Sequence, residues 1–107
     1  CEVRSDVEGI LQDSHWAAGQ IGYFPAYALG TACAAQLMAR MRESVDVDWC
    51  LANGDISDIN AWLCEHIWRY GALYQPRELL ERATGGPLDV QCYADYLSDK
   101  LSEVYGV

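Results

Sequence analysis

The residues best suited to chemistry lie close together near the start of this 107-residue sequence. They fall in Gly9-Ile10-Leu11-Gln12-Asp13-Ser14-His15-Trp16, followed by Gly22-Tyr23-Phe24-Pro25-Ala26-Tyr27-Ala28-Leu29-Gly30. Asp13 and His15 occupy a glycine-bounded loop just before an apolar, helix-forming stretch. A loop histidine held by a rigid scaffold is a plausible catalytic position, because its ring gains or loses a proton near neutral pH. The same histidine can equally be a structural one, satisfied by hydrogen bonds. Tyr23 and Tyr27 are one helical turn apart and share a face. Their hydroxyls can donate to a reacting oxygen or close hydrogen bonds within a core. From pattern alone the structural alternatives are the more common.

Metal chemistry is poorly marked. Asp13, His15 and His66 could be imagined as a ligand group, but ligands two residues apart on a loop, with no third partner fixed, are weak zinc spacing. Cys1, Cys33, Cys50, Cys64 and Cys92 are odd in number and form no Cys-x-x-Cys pair. A disulfide framework or thiolate zinc site is therefore a poor fit. Reduced, mostly buried thiols in a cytoplasmic protein fit better, since free cysteine packs as a small hydrophobe. No charged and then apolar region follows Cys1, so the start reads as that of an excised segment rather than a signal peptide.

Apolar residues make up 51% of the chain, with 4 Trp and 7 Tyr, which favours a buried core over disorder. Sixteen Asp and Glu oppose seven Lys and Arg. Without a basic stripe, nucleic acid and anionic membrane are unlikely partners for electrostatic reasons.

The elements that must hold these residues read as helices. Residues 1–22 show no helical period and are expected to be mostly loop around a short turn. A helix is predicted from Tyr23 to Arg42, with Pro25 in its first turn, where a missing N–H costs nothing. Ala26, Ala28, Ala32, Ala34, Ala35, Leu37 and Met38 favour it. It is apolar nearly all round, which predicts burial on most sides. A membrane span is the competing possibility, but Thr31 and Gln36 interrupt a slightly short apolar stretch. A short helix is expected near Val45–Leu51, and a longer one from Asp55 to Tyr70, capped by Asp55 and ended by Gly71. Ile56, Ile59, Leu63, Ile67 and Tyr70 give that helix an apolar stripe, widened by Trp62. Pro76–Thr84 reads as a helix closed by Gly85, and Asp89 caps a last one. Val90, Tyr93, Leu97, Leu101 and Val104 would form the buried face of this last helix. Strand alternation is absent, so the predicted class is all-α: a compact bundle of four to five helices with a buried central helix.

These residues also carry a resemblance. Gly-x-x-Gln-Asp-x-His-Trp, complete here as Gly9, Gln12, Asp13, His15 and Trp16, is similar to a signature of the thermostable carboxypeptidase family of zinc metallocarboxypeptidases. The family's Gly-Tyr-Phe-Pro-x-Tyr-x-Leu-Gly helix start follows at Gly22–Gly30. Ala61-Trp62-Leu63, Tyr74-Gln75-Pro76-Arg77-Glu78-Leu79-Leu80, Ala83-Thr84-Gly85 and Tyr96-Leu97 extend the likeness over nearly the whole chain. Gln75 departs from it, standing where the family tends to have a capping Ser or Thr.

The resemblance implies that residues 1–107 are the C-terminal helical segment of a larger helical metallopeptidase. The family's His-Glu-x-x-His helix and downstream Glu ligand are not in this chain, where Glu65-His66 is followed by Ile67-Trp68-Arg69. The implied cofactor is zinc, replaceable by cobalt, held by the full-length parent, with none in this chain. The implied reaction is hydrolysis of the last bond of peptides with a free C-terminus. A zinc-bound water attacks the carbonyl, and donors aimed at its oxygen stabilise the growing charge. In helical zinc peptidases of related architecture a His and a Tyr twelve residues later do this, a separation His15 and Tyr27 share. Tyr23 is the other candidate donor. Asp13 would orient His15 or a neighbouring loop, and Gln12 would position the substrate main chain. The N-terminal remainder of the parent is the implied partner, and homodimers are common in the family. The competing expectation is a non-catalytic helical protein-interaction module that keeps the motif as packing.

Overall fold

The computed structural model describes Glu2 and residues 4–106. Contacts divide the chain into two compact units, Cys1–Gly30 and Thr31–Val107. Among the described residues all regular structure is helical: α1 (Ser14–Ala17), α2 (Tyr23–Met41), α3 (Val47–Asn53), α4 (Ser57–His66), α5 (Pro76–Thr84) and α6 (Gln91–Tyr105). Two 3₁₀ turns, Ile10–Gln12 and Trp68–Tyr70, complete the set. The all-α class holds, and the six α-helices exceed the four to five expected because α1 forms where mostly loop was predicted. Its single turn needs no apolar period, because Asp13 nucleates it by capping.

In the first unit, Asp13 leaves the 3₁₀ turn in extended conformation and caps α1 with its side chain. Gly19, at φ 75°, turns the chain after α1 in the left-handed region that favours glycine. The amide of Gln20 donates to the His15 carbonyl at 2.8 Å, and that of Tyr23 to the Gln20 carbonyl at 3.1 Å. The α1–α2 connection is thus tied down by backbone bonds, and α2 starts with Pro25 in its first turn.

In the second unit, Met41 of α2, Val47 of α3 and Trp62 of α4 form a buried cluster, joined by Leu37, Val45, Ile59 and Leu63. Asp46 caps α3 by accepting from the Trp49 amide at 3.0 Å, and Gly54 closes it in left-handed conformation. Asp55 accepts from the Ser57 amide, but α4 starts at Ser57 with Ile56 at its N-cap, so the expected cap at Asp55 lies one residue before the observed one. The predicted Asp55–Tyr70 helix is also broken. α4 stops at His66, Ile67 leaves helical geometry, and the last turn tightens to 3₁₀ before Gly71 at φ 52°. Tightening of this kind is common where a helix must end and turn. α5 runs from Pro76 to Thr84 and ends at Gly85 (φ 85°), as its sequence signals dictate.

A second contact holds α2 to the α5–α6 connection. The buried Gln36 side chain donates from Nε2 to Thr84 Oγ1 (3.0 Å) and to the Pro87 carbonyl (2.9 Å). Its Oε1 accepts from the Asp89 amide at 2.8 Å. Leu80 and Ala83 of α5 are buried as well.

Two burial expectations are corrected. Of α2, the residues Ala32, Gln36 and Met41 are buried, while Leu29 is 55% and Met38 39% exposed. No described residue of α6 is buried: Leu97, Leu101 and Val104 are exposed, Val90 just before the helix is too, and Tyr93 is half-buried. An amphipathic period defines a face, but burying it takes a second apolar surface, and this chain does not provide one along α6.

Candidate functional site

The first unit brings Asp13, His15, Tyr23 and Tyr27 into one row. Asp13 Oδ1 accepts two bonds, from the His15 backbone amide at 2.7 Å and from His15 Nδ1 at 2.9 Å. The backbone bond, assisted by the ring bond and against some desolvation, holds the Asp13 carboxyl below its ordinary value. An ionised carboxylate only accepts, so Nδ1 carries the proton of this contact. Nε2 is then left for another partner: it accepts when the ring is neutral and donates when the ring is charged.

The imidazole of His15 stacks on Tyr23, with centroids 4.3 Å apart and planes 18° from parallel. One turn further along α2, the Tyr27 hydroxyl donates to the Tyr23 hydroxyl at 3.2 Å. That bond, foremost, raises the Tyr27 phenol above its ordinary value, with smaller contributions from the charges of Tyr23 and Asp13 and from burial. Tyr27 therefore stays protonated, and able to donate, throughout the neutral range.

Phe24 is the aromatic residue that sequence reasoning missed. It is half-buried and lies 5.6 Å from His15, 5.7 Å from Trp16, 6.1 Å from Tyr23 and 6.2 Å from Tyr27. Its position between Tyr23 and Pro25 in the motif is the signal that could have found it. Gln12 ends the 3₁₀ turn one residue before Asp13 and is exposed, outside the hydrogen-bonded row.

The remaining candidates lie in the second unit and serve the fold. His66 stacks on Trp62 at 4.3 Å, and its Nδ1 lies 3.0 Å from the Trp62 carbonyl. A carbonyl only accepts, so that nitrogen is a donor, bonded within its own helix. Cys33, Cys50, Cys64 and Cys92 are free thiols, and burial with nearby Asp58, Asp55 and Asp46 pushes the Cys50 thiol up. Cys1 lies outside the described residues. Among the described residues no three His, Cys, Asp or Glu side chains gather as a metal site, and no helix is long and apolar enough to cross a membrane. The described residues therefore offer no ligand set that a resident zinc would fit.

Comparison with known proteins gives a consistent answer. The family described as "Carboxypeptidase Taq (M32) metallopeptidase" matches residues 1–101. The chain is 45% identical over 103 residues to carboxypeptidase 1 of Bacillus subtilis, covering 95% of this chain and 21% of that protein. It is 43% identical over 98 residues to thermostable carboxypeptidase 1 of Pyrococcus furiosus, covering 91% of this chain and 20% of that protein. Among solved structures, metallocarboxypeptidase 1 of Trypanosoma cruzi superposes with a TM-score of 0.81 at 40% identity, over 96% of this chain and 21% of the other. The chain thus spans about a fifth of the length of these relatives. With a family match over almost its whole length, this chain belongs to the Carboxypeptidase Taq (M32) metallopeptidases.

Proposed function

We propose that this chain is the C-terminal segment of a zinc metallocarboxypeptidase and supplies the donors for the carbonyl oxygen of the peptide bond being cut. The observation that carries this is the row Asp13, His15, Tyr23, Tyr27. Negative charge collects on the carbonyl oxygen during attack, and preorganised donors there are worth most where water is excluded. Nε2 of a charged His15 and the hydroxyl of Tyr27 are the proposed catalytic donors. Asp13 holds the ring through Nδ1. Gln12, exposed beside this row, positions the main chain of a peptide with a free C-terminus. The zinc belongs to residues of the parent outside this chain, and the free thiols suit a cytoplasmic setting.

The test is a pair of variants in the full-length parent. Tyr27→Phe is expected to lower kcat roughly 10²–10³-fold, the usual cost of removing one oxyanion donor, with KM nearly unchanged. His15→Ala should lose as much, with more if the loop collapses. The exposed apolar side chains of α6 favour one alternative, a helical interaction module without catalysis. Unchanged kcat in both variants would select it.

A further inference from the structure

Tyr23 touches both proposed donors. Its ring lies nearly parallel to His15 at 4.3 Å, and its hydroxyl shares a bond with that of Tyr27 at 3.2 Å. We propose that Tyr23 is a positioning residue, which fixes the plane of His15 and steers the hydroxyl of Tyr27, without itself touching the substrate. This rests on the assignment of His15 and Tyr27 as donors made above.

The geometry on the imidazole side is a matter of two constraints. The bond from Nδ1 to Asp13 anchors one edge of the ring but leaves it free to swing about that contact. The Tyr23 face, 18° from parallel, removes the swing and so sets the direction of Nε2. Phe24 meets the imidazole edge-on, 5.6 Å away at 67°.

The geometry on the phenol side concerns one proton. A tyrosine hydroxyl has a single hydrogen to give and lone pairs to accept with. In this structure Tyr27 gives its hydrogen to Tyr23. At 3.2 Å the bond is longer than the usual O–H···O distance of about 2.7–2.8 Å, so little is lost when Tyr27 turns its hydrogen to a substrate oxygen. The hydrogen of Tyr23 can then rotate onto the Tyr27 oxygen. A phenol that accepts one bond while donating another is the stronger donor, because bonds in a chain polarise each other. Were Tyr23 to donate to the substrate directly, Tyr27 would lose this support.

The experiment uses the full-length parent. Tyr23→Phe keeps the stacking ring and removes the hydroxyl. It is expected to lower kcat about tenfold with KM unchanged, the scale of one neutral hydrogen bond. In the Tyr27→Phe background the same change should cost nothing further, since its effect runs through Tyr27. A loss that adds in full to that of Tyr27→Phe would make Tyr23 an independent donor and overturn the proposal. A second readout separates positioning from mere packing. The ¹³Cζ resonance of Tyr27, assigned by its disappearance in Tyr27→Phe, should titrate at a different pH in Tyr23→Phe, because the hydroxyl bonded to it is gone. An unmoved titration would also overturn the coupling. If Tyr27→Phe alone leaves kcat intact, the donor assignment fails, and the titration still decides whether Tyr23 steers Tyr27.

Discussion

At the scale of single residues, one oxygen carries much of the site. Asp13 Oδ1 caps α1 through the His15 amide and fixes the His15 ring through Nδ1, so helix start and ring orientation depend on the same carboxylate. These bonds depress its pKa in the folded chain, and a depressed carboxylate contributes stability above its unfolded value that is lost as pH falls through the folded one. The unfolded reference is about 3.9. The capped turn is therefore expected to survive acidification through the ordinary Asp range and to open only below it. The pH dependence of the His15 amide proton shift checks this, and a midpoint at or above the ordinary value would contradict it. Spacing makes Asp13 and His15 legible as one pair in a loop and Tyr23 and Tyr27 as another on one helical turn, whereas only the resemblance to the carboxypeptidase family joins the two pairs. The sequence does not disclose that His15 stacks on Tyr23 or that Phe24 packs among them, since both depend on how the loop folds back by way of Gly19 and Gln20.

At the scale of elements, local signals fare well and distant ones do not. Pro76 and Gly85 mark α5 to the residue, whereas the short helix expected near Val45–Leu51 forms at Val47–Asn53, between a cap at Asp46 and a stop at Gly54 that the sequence reading did not single out. The break at Ile67 is hidden because the apolar stripe continues past it to Tyr70. Gln36 reads in the sequence as a polar interruption of an apolar helix, yet it is 7% exposed and fully bonded. Its partners lie 48 to 53 residues away, beyond the reach of any periodicity. Gln36→Leu would leave the Asp89 amide and the Pro87 carbonyl without this partner in a half-buried setting. The expected cost is about 1–3 kcal/mol, the penalty for such unpaired groups. Urea unfolding should show a lower midpoint at an unchanged slope. An unchanged or higher midpoint would mean that the three bonds add nothing net.

At the scale of the whole molecule, the chain carries a formal charge of −9, spreads its ionisable groups widely, and matches about a fifth of its relatives. A catalytic zinc takes about three protein ligands and keeps an open position. The histidines here are His15, engaged by Asp13, and His66, engaged by the Trp62 carbonyl in the other unit. Scattered carboxylates do not replace them. The chain is therefore expected to supply one side of an active site and to need the rest of its parent for the other. The most direct measurement takes residues 1–107 alone, dialysed against a mild chelator, and pairs metal analysis with a C-terminal amino-acid release assay in added zinc or cobalt. No stoichiometric metal and no release are expected. One metal bound per chain together with sustained release would contradict the division of the site between this chain and the rest of its parent.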